Sequence, residues 1–154
     1  MNHWLFKTEP STFGIQDLAR APRKTTCWDG VRNYQARNML RDAIKVGDEV
    51  FIYHSSCEVP GIAGIARVVK AGYPDHTAFD RKHPHYDAGS TRDAPRWFMV
   101  DVQLVRALKR VITLDDLNRH AARELKDMQL LKRGNRLSVM PVDAAHWRHI
   151  LAME

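Results

Sequence analysis

The run GIAGIARVV, residues 61–69, is apolar on both faces of an extended chain, with Ile62 and Val68 on one side and Ile65 and Val69 on the other. A strand with one wet face alternates apolar and polar residues, so one that is apolar on both sides must be covered on both. In a chain of 154 residues a small sheet curled into a closed or nearly closed barrel supplies that cover. Further strand patterns surround the run: HWLFKTE near the start, EVFIYHSS after the turn VGDEV, RWFMVDVQLVRALKRVI, and the short RLSVMPV. In the first of these Trp4, Phe6 and Thr8 alternate with His3, Leu5 and Lys7, which places Lys7 on the same face as Leu5.

Helical periods fall outside this set. STFGIQDLARA reads as a short helix through Ala21 capped by Ser11 or Thr12. In NYQARNMLRDAIK the residues Ala36, Met39, Leu40, Ala43 and Ile44 form an apolar stripe behind an Asn33 cap, with Asn33, Arg37 and Arg41 on a second stripe. TLDDLNRHAARELKDM opens on a capping box of Thr113 and Asp116 and carries Leu114, Leu117, Ala121, Leu125 and Met128 as its buried side. DAAHWRHILAM is a last helix with Asp143 at its cap. The pattern predicts one α+β domain, a mixed β-barrel with peripheral helices.

Composition narrows the function classes. No apolar run approaches the roughly 20 residues that span a bilayer, and the start MNHWLFKTEPSTF lacks the basic and apolar regions of a signal peptide. The expectation is a chain without membrane partners, in the cytoplasm or, in a nucleated cell, the nucleus. Cys27 and Cys57 have neither C-x-x-C nor metal-ligand spacing and read as reduced thiols. The net charge of +6 biases the molecule toward polyanions such as nucleic acid, although solubility alone can account for such a balance.

Phosphate-loop, dinucleotide-binding, nucleophile-elbow and H-E-x-x-H motifs are all absent, which lowers the odds of an enzyme. HPHYD gathers His83, His85 and Asp87 after Asp75 and His76, but Pro84 separates the histidines and no ligand follows at helical spacing. A solvated loop is the better reading, within the polar stretch 74–95, whose length suits a functional or mobile segment. Cys57 near His54, or Asp29 and Glu9 as general bases, would give the alternative of an enzyme acting on a nucleotide or a nucleic-acid base. Structural roles for all four are the plainer reading.

Four tryptophans remain. Trp4 and Trp147 keep phase with apolar neighbours and belong in the core. Trp28 in CWDG and Trp97 in PRWF stand at element boundaries beside charged and turn residues, where an indole can present a flat face. With Arg32, Arg37 and Arg41 around a helix start at Asn33, such a face suits a nucleobase lifted out of its strand. Two half-exposed tryptophans packed on loops would be the structural alternative.

The blocks HWLFKTEPSTFGIQDL, WDGVRNYQARNMLRD, GDEVFIYHSSCEVPGIAGIARVV, YPD, PRWFMVDV and RLSVMPV, in this order and nearly end to end, resemble the EVE domain, a member of the PUA-like superfamily akin to the YTH readers of methylated adenine. The resemblance implies a PUA-like mixed β-barrel ringed by helices, without catalytic machinery, cofactor or metal, whose pocket receives one modified base of DNA or RNA. Eukaryotic relatives are associated with oxidised or methylated cytosine and bacterial ones with modified DNA in restriction or defence. Carried over by position, the modified-base pocket would comprise Lys7, Thr8, Trp28, Asn33, Tyr34, Ser55 and Ser138, with Pro60, Gly61 and Ile62 as a wall. Tyr73, Pro74 and Trp97 are candidates for further aromatic-cage members. Arg32, Arg37, Arg41 and Arg136 would hold the nucleic-acid backbone. A monomer is expected.

Overall fold

The computed structural model describes residues 1–154. Its strands are β1 (His3–Thr8), β2 (Thr25–Cys27), β3 (Glu49–His54), β4 (Gly61–Pro74), β5 (Phe98–Thr113) and β6 (Val139–Val142). They form one six-stranded sheet in the order β2-β5-β4-β3-β1-β6. β1 and β3 run parallel, and every other neighbouring pair is antiparallel. The class is therefore α+β with a mixed sheet, as the strand periods and the resemblance both imply. Repeated register shifts between β4 and β5 let these two long strands coil. The outermost strands β2 and β6 are not paired to each other, so the curled sheet keeps an open seam.

Residues 61–66 of β4 are buried without interruption, as a doubly covered strand requires, and Val68 is buried too. The cover ends one residue later than that: Val69 is 40% exposed, against the two-sided burial its pattern suggested. A cluster of 33 buried residues fills the interior. Trp4 and Trp147 lie in it as expected. Trp147 stacks on Phe51 with centroids 3.7 Å apart, and Trp4 donates its indole N–H to Asp48 Oδ2 at 2.9 Å. Burial would raise the Asp48 pKa, but that bond and the amides of Lys45 and Asn2 outweigh it and hold the carboxyl below its ordinary range.

The helices depart from the sequence pattern in instructive ways. The first is two pieces, α1 (Pro10–Phe13) and α2 (Ile15–Arg20), broken at Gly14, whose N–H is taken by Asp17 Oδ2 at 2.7 Å; Ser11 and Thr12 sit inside α1 and cap neither. Helix α3 (Tyr34–Asn38) is capped by Asn33, which accepts from Ala36 N at 3.0 Å, and continues as a π-helical turn, Met39–Ala43. Gly72 of β4 crosses there so closely that a Cβ would stand 2.4 Å from the Leu40 carbonyl oxygen. The wider turn takes Arg41 off the Asn33–Arg37 stripe, and Arg41 instead grips Asp42 through two bonds of 2.8 and 2.9 Å. The capping box of α4 (Leu114–Arg119) forms as expected, but the helix stops at His120 and residues 120–127 proceed as turns. Asp143 precedes α5 (Ala144–Ala152) without using its side chain as a cap.

Candidate functional site

At the open seam the two margins of the sheet face a common cavity of about 710 Å³. The end of β1 supplies Lys7 and Thr8, and the chain entering β6 supplies Ser138. β2 and the turn after it supply Thr26, Cys27, Trp28, Asp29 and Gly30. Glu9, Thr12 and Phe13 edge it on the α1 side, and His83, Pro84 and His85 form the opposite wall. The volume lies within the ~300–1,000 Å³ typical of small-molecule sites.

Trp28 is 7% exposed and Trp97 6%, so neither is the half-exposed indole that its sequence setting suggested. Their surroundings separate them. Trp97 is closed off: its N–H is donated to Asp87 Oδ2 at 2.6 Å, Tyr34 stacks on it at 4.9 Å, and the Arg32 guanidinium lies 5.4 Å from its ring. Trp28 packs inward on Phe6 at 5.4 Å and on Phe13 edge-to-face at 6.4 Å, and still lines the cavity. It is a core residue and a cavity wall at once, a rigid surface that neighbouring aromatics hold in place.

The far wall is held by one carboxylate. Asp75 is completely buried, and it accepts from Gly30 N at 2.8 Å, Arg32 Nη1 at 3.0 Å, Thr77 N at 2.9 Å and Thr77 Oγ1 at 2.5 Å. Burial would push its pKa up; the bonds from Thr77, Gly30 and Arg32 overcome this and keep the carboxyl below the ordinary aspartate range. Arg32 in turn donates to the His85 carbonyl through Nε at 3.2 Å and Nη2 at 2.7 Å. The His85 ring consequently lies over Gly30, where a Cβ would come within 2.4 Å of it, and Gly30 has φ +79°, a conformation that costs other residues ~1–2 kcal/mol. His85 Nδ1 is the one buried side-chain polar atom without a hydrogen-bond partner. Parts of the stretch 74–95 are thus fastened, with a 3₁₀ turn at His76–Phe79 and the His85 carbonyl held by Arg32, while residues 80–82, 88–89 and 91–94 are exposed, as a solvated loop would be. Asp75 and Asp87, the two carboxylates read with these histidines in the sequence, are engaged by Arg32 and by Arg96 with Trp97.

Of the residues expected in the pocket, the structure brings Lys7, Thr8, Trp28 and Ser138 together around the cavity and leaves the others outside its lining. Asn33 spends its side chain on the helix cap, and Tyr34 covers Trp97. Ser55 Oγ reaches only the Thr8 carbonyl at 3.4 Å. Ile62 is fully buried, a Cβ on Gly61 would meet the Ile112 carbonyl at 2.4 Å, and the Pro60 carbonyl accepts from Leu114 N: all three serve the β4–β5 junction. Tyr73 bonds Asp101, Pro74 is exposed at the end of β4, and neither lines the cavity. Among the cations, Arg32 is spent on the wall, Arg41 on Asp42, and Arg37 is partly engaged by the Arg96 carbonyl at 2.7 Å. Arg136 is exposed two residues from Ser138. Burial lowers the Lys7 pKa, and its ammonium, 5.9 Å from the Tyr53 ring centroid, makes no ion pair. His54 Nε2 accepts from Ile15 N at 3.1 Å, so the lone pair that a base for Cys57 would use is already engaged, and burial lowers the His54 pKa. The Asp75–Arg32–His85 linkage and the His83–His85 wall are what sequence reasoning missed; the HPH run was its visible trace.

A fold with this cavity at the seam of a curled mixed sheet has known relatives. The EVE domain family model matches residues 2–153, and the chain belongs to that family. It is 49% identical to human thymocyte nuclear protein 1 over 168 aligned residues, covering 99% of this chain and 74% of the relative. A crystal structure of human THYN1 protein in complex with 5-methylcytosine-containing DNA superposes with TM-score 0.94 at 47% identity, over 99% of this chain and 97% of that one. A crystal structure of a Pseudomonas putida protein gives TM-score 0.92 at 50% identity, over 98% of both chains.

Proposed function

We propose that the protein is a non-catalytic reader that takes one modified base, with 5-methylcytosine as the leading candidate, out of DNA and into the seam cavity. The observation that carries this reading is a preformed cavity that sets an aromatic wall beside both hydrogen-bond donors and acceptors, in a chain that shares nearly its full length with a protein crystallised on 5-methylcytosine-containing DNA. Cytosine presents an exocyclic amino donor and ring acceptors. Carboxylates accept from the amino group and cations donate to acceptors on base edges. The carboxylates of Asp29 and Glu9 and the ammonium of Lys7, all in the lining, supply both, Thr8 and Ser138 add hydroxyls, and Trp28 with Phe13 gives the methyl group apolar contact. A base held against an aromatic surface gains ~1–3 kcal/mol, which offsets the unstacking cost of extruding it. The exposed Arg136, two residues from the cavity-lining Ser138, is assigned to the sugar-phosphate chain, with Arg37 as a second contact.

The binding test is a panel of short oligonucleotides, DNA and RNA, single- and double-stranded, each carrying one modified or unmodified base, measured at two salt concentrations. Affinity for every oligonucleotide is expected to fall with added salt, because phosphate contacts release counterions, while the ratio of modified to unmodified affinity stays constant because it is set inside the cavity. A ratio near one for every modification tested would remove the reader assignment. Mass spectrometry of the recovered oligonucleotides separates a reader, which leaves the mass unchanged, from an enzyme in which Asp29 or Glu9 acts as a base.

A further inference from the structure

Outside the base cavity, with whose lining it shares no residue, a cluster of three side chains of metal-ligating type converges. His120 closes α4, Glu124 lies on the following turn, and His149 projects from α5. His149 Nε2 stands 3.1 Å from His120 Nδ1, and Glu124 Oε2 lies 3.2 Å from His120 Nδ1 and 4.0 Å from His149 Nε2. The two imidazole rings are inclined at 58° with centroids 4.9 Å apart. Zinc holds nitrogen and oxygen ligands at ~2.0–2.2 Å in tetrahedral geometry, which separates neighbouring ligand atoms by about 3.3 Å. Two of the three observed separations match an edge of such a tetrahedron; the third, 4.0 Å between Glu124 and His149, is longer, and a small rotation of the exposed Glu124 side chain would close it.

A hydrogen-bond network explains this arrangement less well. His120 Nδ1 is within reach of both other groups, yet a single ring nitrogen carries either one proton or one lone pair and serves one of them properly. A cation at the common point accepts from all three. The set is partly exposed, with side-chain accessibilities of 34% for His120, 46% for Glu124 and 26% for His149, so an ion can enter. A cavity of about 350 Å³ lined by His120, His149, Arg110, Arg119 and Asp116 adjoins it. Arg110 and Arg119 would repel a cation, but both are bonded to Asp116, at 2.8 and 2.9 Å, which offsets one of their two charges, and the Glu124 carboxylate in the site supplies a further negative charge.

We propose that His120, Glu124 and His149 form a binding site for a divalent transition-metal ion of the zinc type, with a fourth coordination position open to this cavity. The site is independent of the base cavity and of its reading. It ties the turns after α4 to α5, whose Trp147 is stacked in the core, so the ion would also stiffen the C-terminal end of the domain. The expectation from sequence was that the protein takes no metal. HPHYD was the only local cluster, and His120 and His149 are 29 positions apart, so only the fold juxtaposes them.

Titrating the full chain, stripped of metal and free of any histidine tag, with ZnCl₂ in a calorimeter is expected to show one site, and Co²⁺ in its place to give visible ligand-field absorption. His120→Ala and His149→Ala should each weaken Zn²⁺ binding by at least about tenfold, with Glu124→Gln weakening it as well. Zn²⁺ should raise the Tm of the parent and leave that of His149→Ala unmoved. All three side chains are at the surface, and thermal unfolding of each variant checks that it folds. Absence of binding heat would overturn the site. So would binding that survives His149→Ala but is lost in His83→Ala, which would move the ion to the other histidine cluster.

Discussion

Trp28→Ala is expected to destabilise the protein by about 3–5 kcal/mol, the cost of emptying a large aromatic from a packed interior. The side chain is 7% exposed and braces Phe6 and Phe13. For a domain of this size each kcal/mol moves Tm by roughly 2–4 °C, so thermal unfolding should show a drop on the order of 10 °C. Loss of DNA binding in this variant would therefore report unfolding as readily as a missing cavity wall. Trp28→Phe separates the two: it keeps an apolar ring against Phe6 and Phe13 and gives up part of the wall. It should retain most of the stability and lose about tenfold in affinity for the modified oligonucleotide, within the range of one stacked base. A Trp28→Ala protein with parental Tm would show that the ring does not brace the interior.

Asp75→Ala is expected to cost about 3 kcal/mol, because it strips a buried carboxylate from Arg32, the Gly30 amide and the buried Thr77 and leaves those donors without their acceptor. Part of the full penalty is relieved because Arg32 keeps 22% side-chain exposure and its bonds to the His85 carbonyl. The Trp28 turn and the His83–His85 wall lose their common anchor, so selectivity for the modified base should fall with stability. Asp75→Asn gives the cleaner pH experiment. The folded-state pKa of Asp75 lies below its unfolded value, so its contribution is complete above the ordinary aspartate value of about 4 and disappears as pH falls through the folded value. Other depressed carboxylates, Asp116 at about 2 among them, shape the same acid limb. The difference in unfolding free energy between parent and Asp75→Asn isolates this one: it should be constant near neutrality and shrink below about pH 4. A difference that grows on acidification would contradict the anchor.

The elements that local chemistry dictates were legible in the sequence. The doubly apolar β4, the Asn33 cap and the Thr113–Asp116 box follow from side-chain period and short-range hydrogen bonding, and the structure has all three. The helix read over 113–128 was too long. Its apolar spacing continues through Leu125 and Met128, but these side chains reach the core from turns, and periodicity does not tell the two routes apart. Within the cavity, Lys7, Thr8, Trp28 and Ser138 were found. The residues from 83 to 85 were not, because their position depends on Asp75 and Arg32, which are 43 positions apart in the chain. The same limit misread Trp97, whose polar neighbours in sequence say nothing of the Tyr34 ring and the Asp87 carboxylate that close it off.

The seam cavity is most directly tested by filling it without touching its supports. Ser138 lines it, is only partly buried, and makes no side-chain hydrogen bond whose loss would disturb the fold; its carbonyl, which accepts from Lys7 N at 2.8 Å, is unaffected by the side chain. The measurement is the ratio of affinities for a 5-methylcytosine oligonucleotide and its unmodified twin, in the parent and in Ser138→Trp, with Tm recorded for both. The expected result is a parent that prefers the methylated strand and a Ser138→Trp variant with nearly parental Tm, a ratio near one and its salt-sensitive binding intact. An undiminished preference in the folded Ser138→Trp protein would place base recognition elsewhere on the molecule.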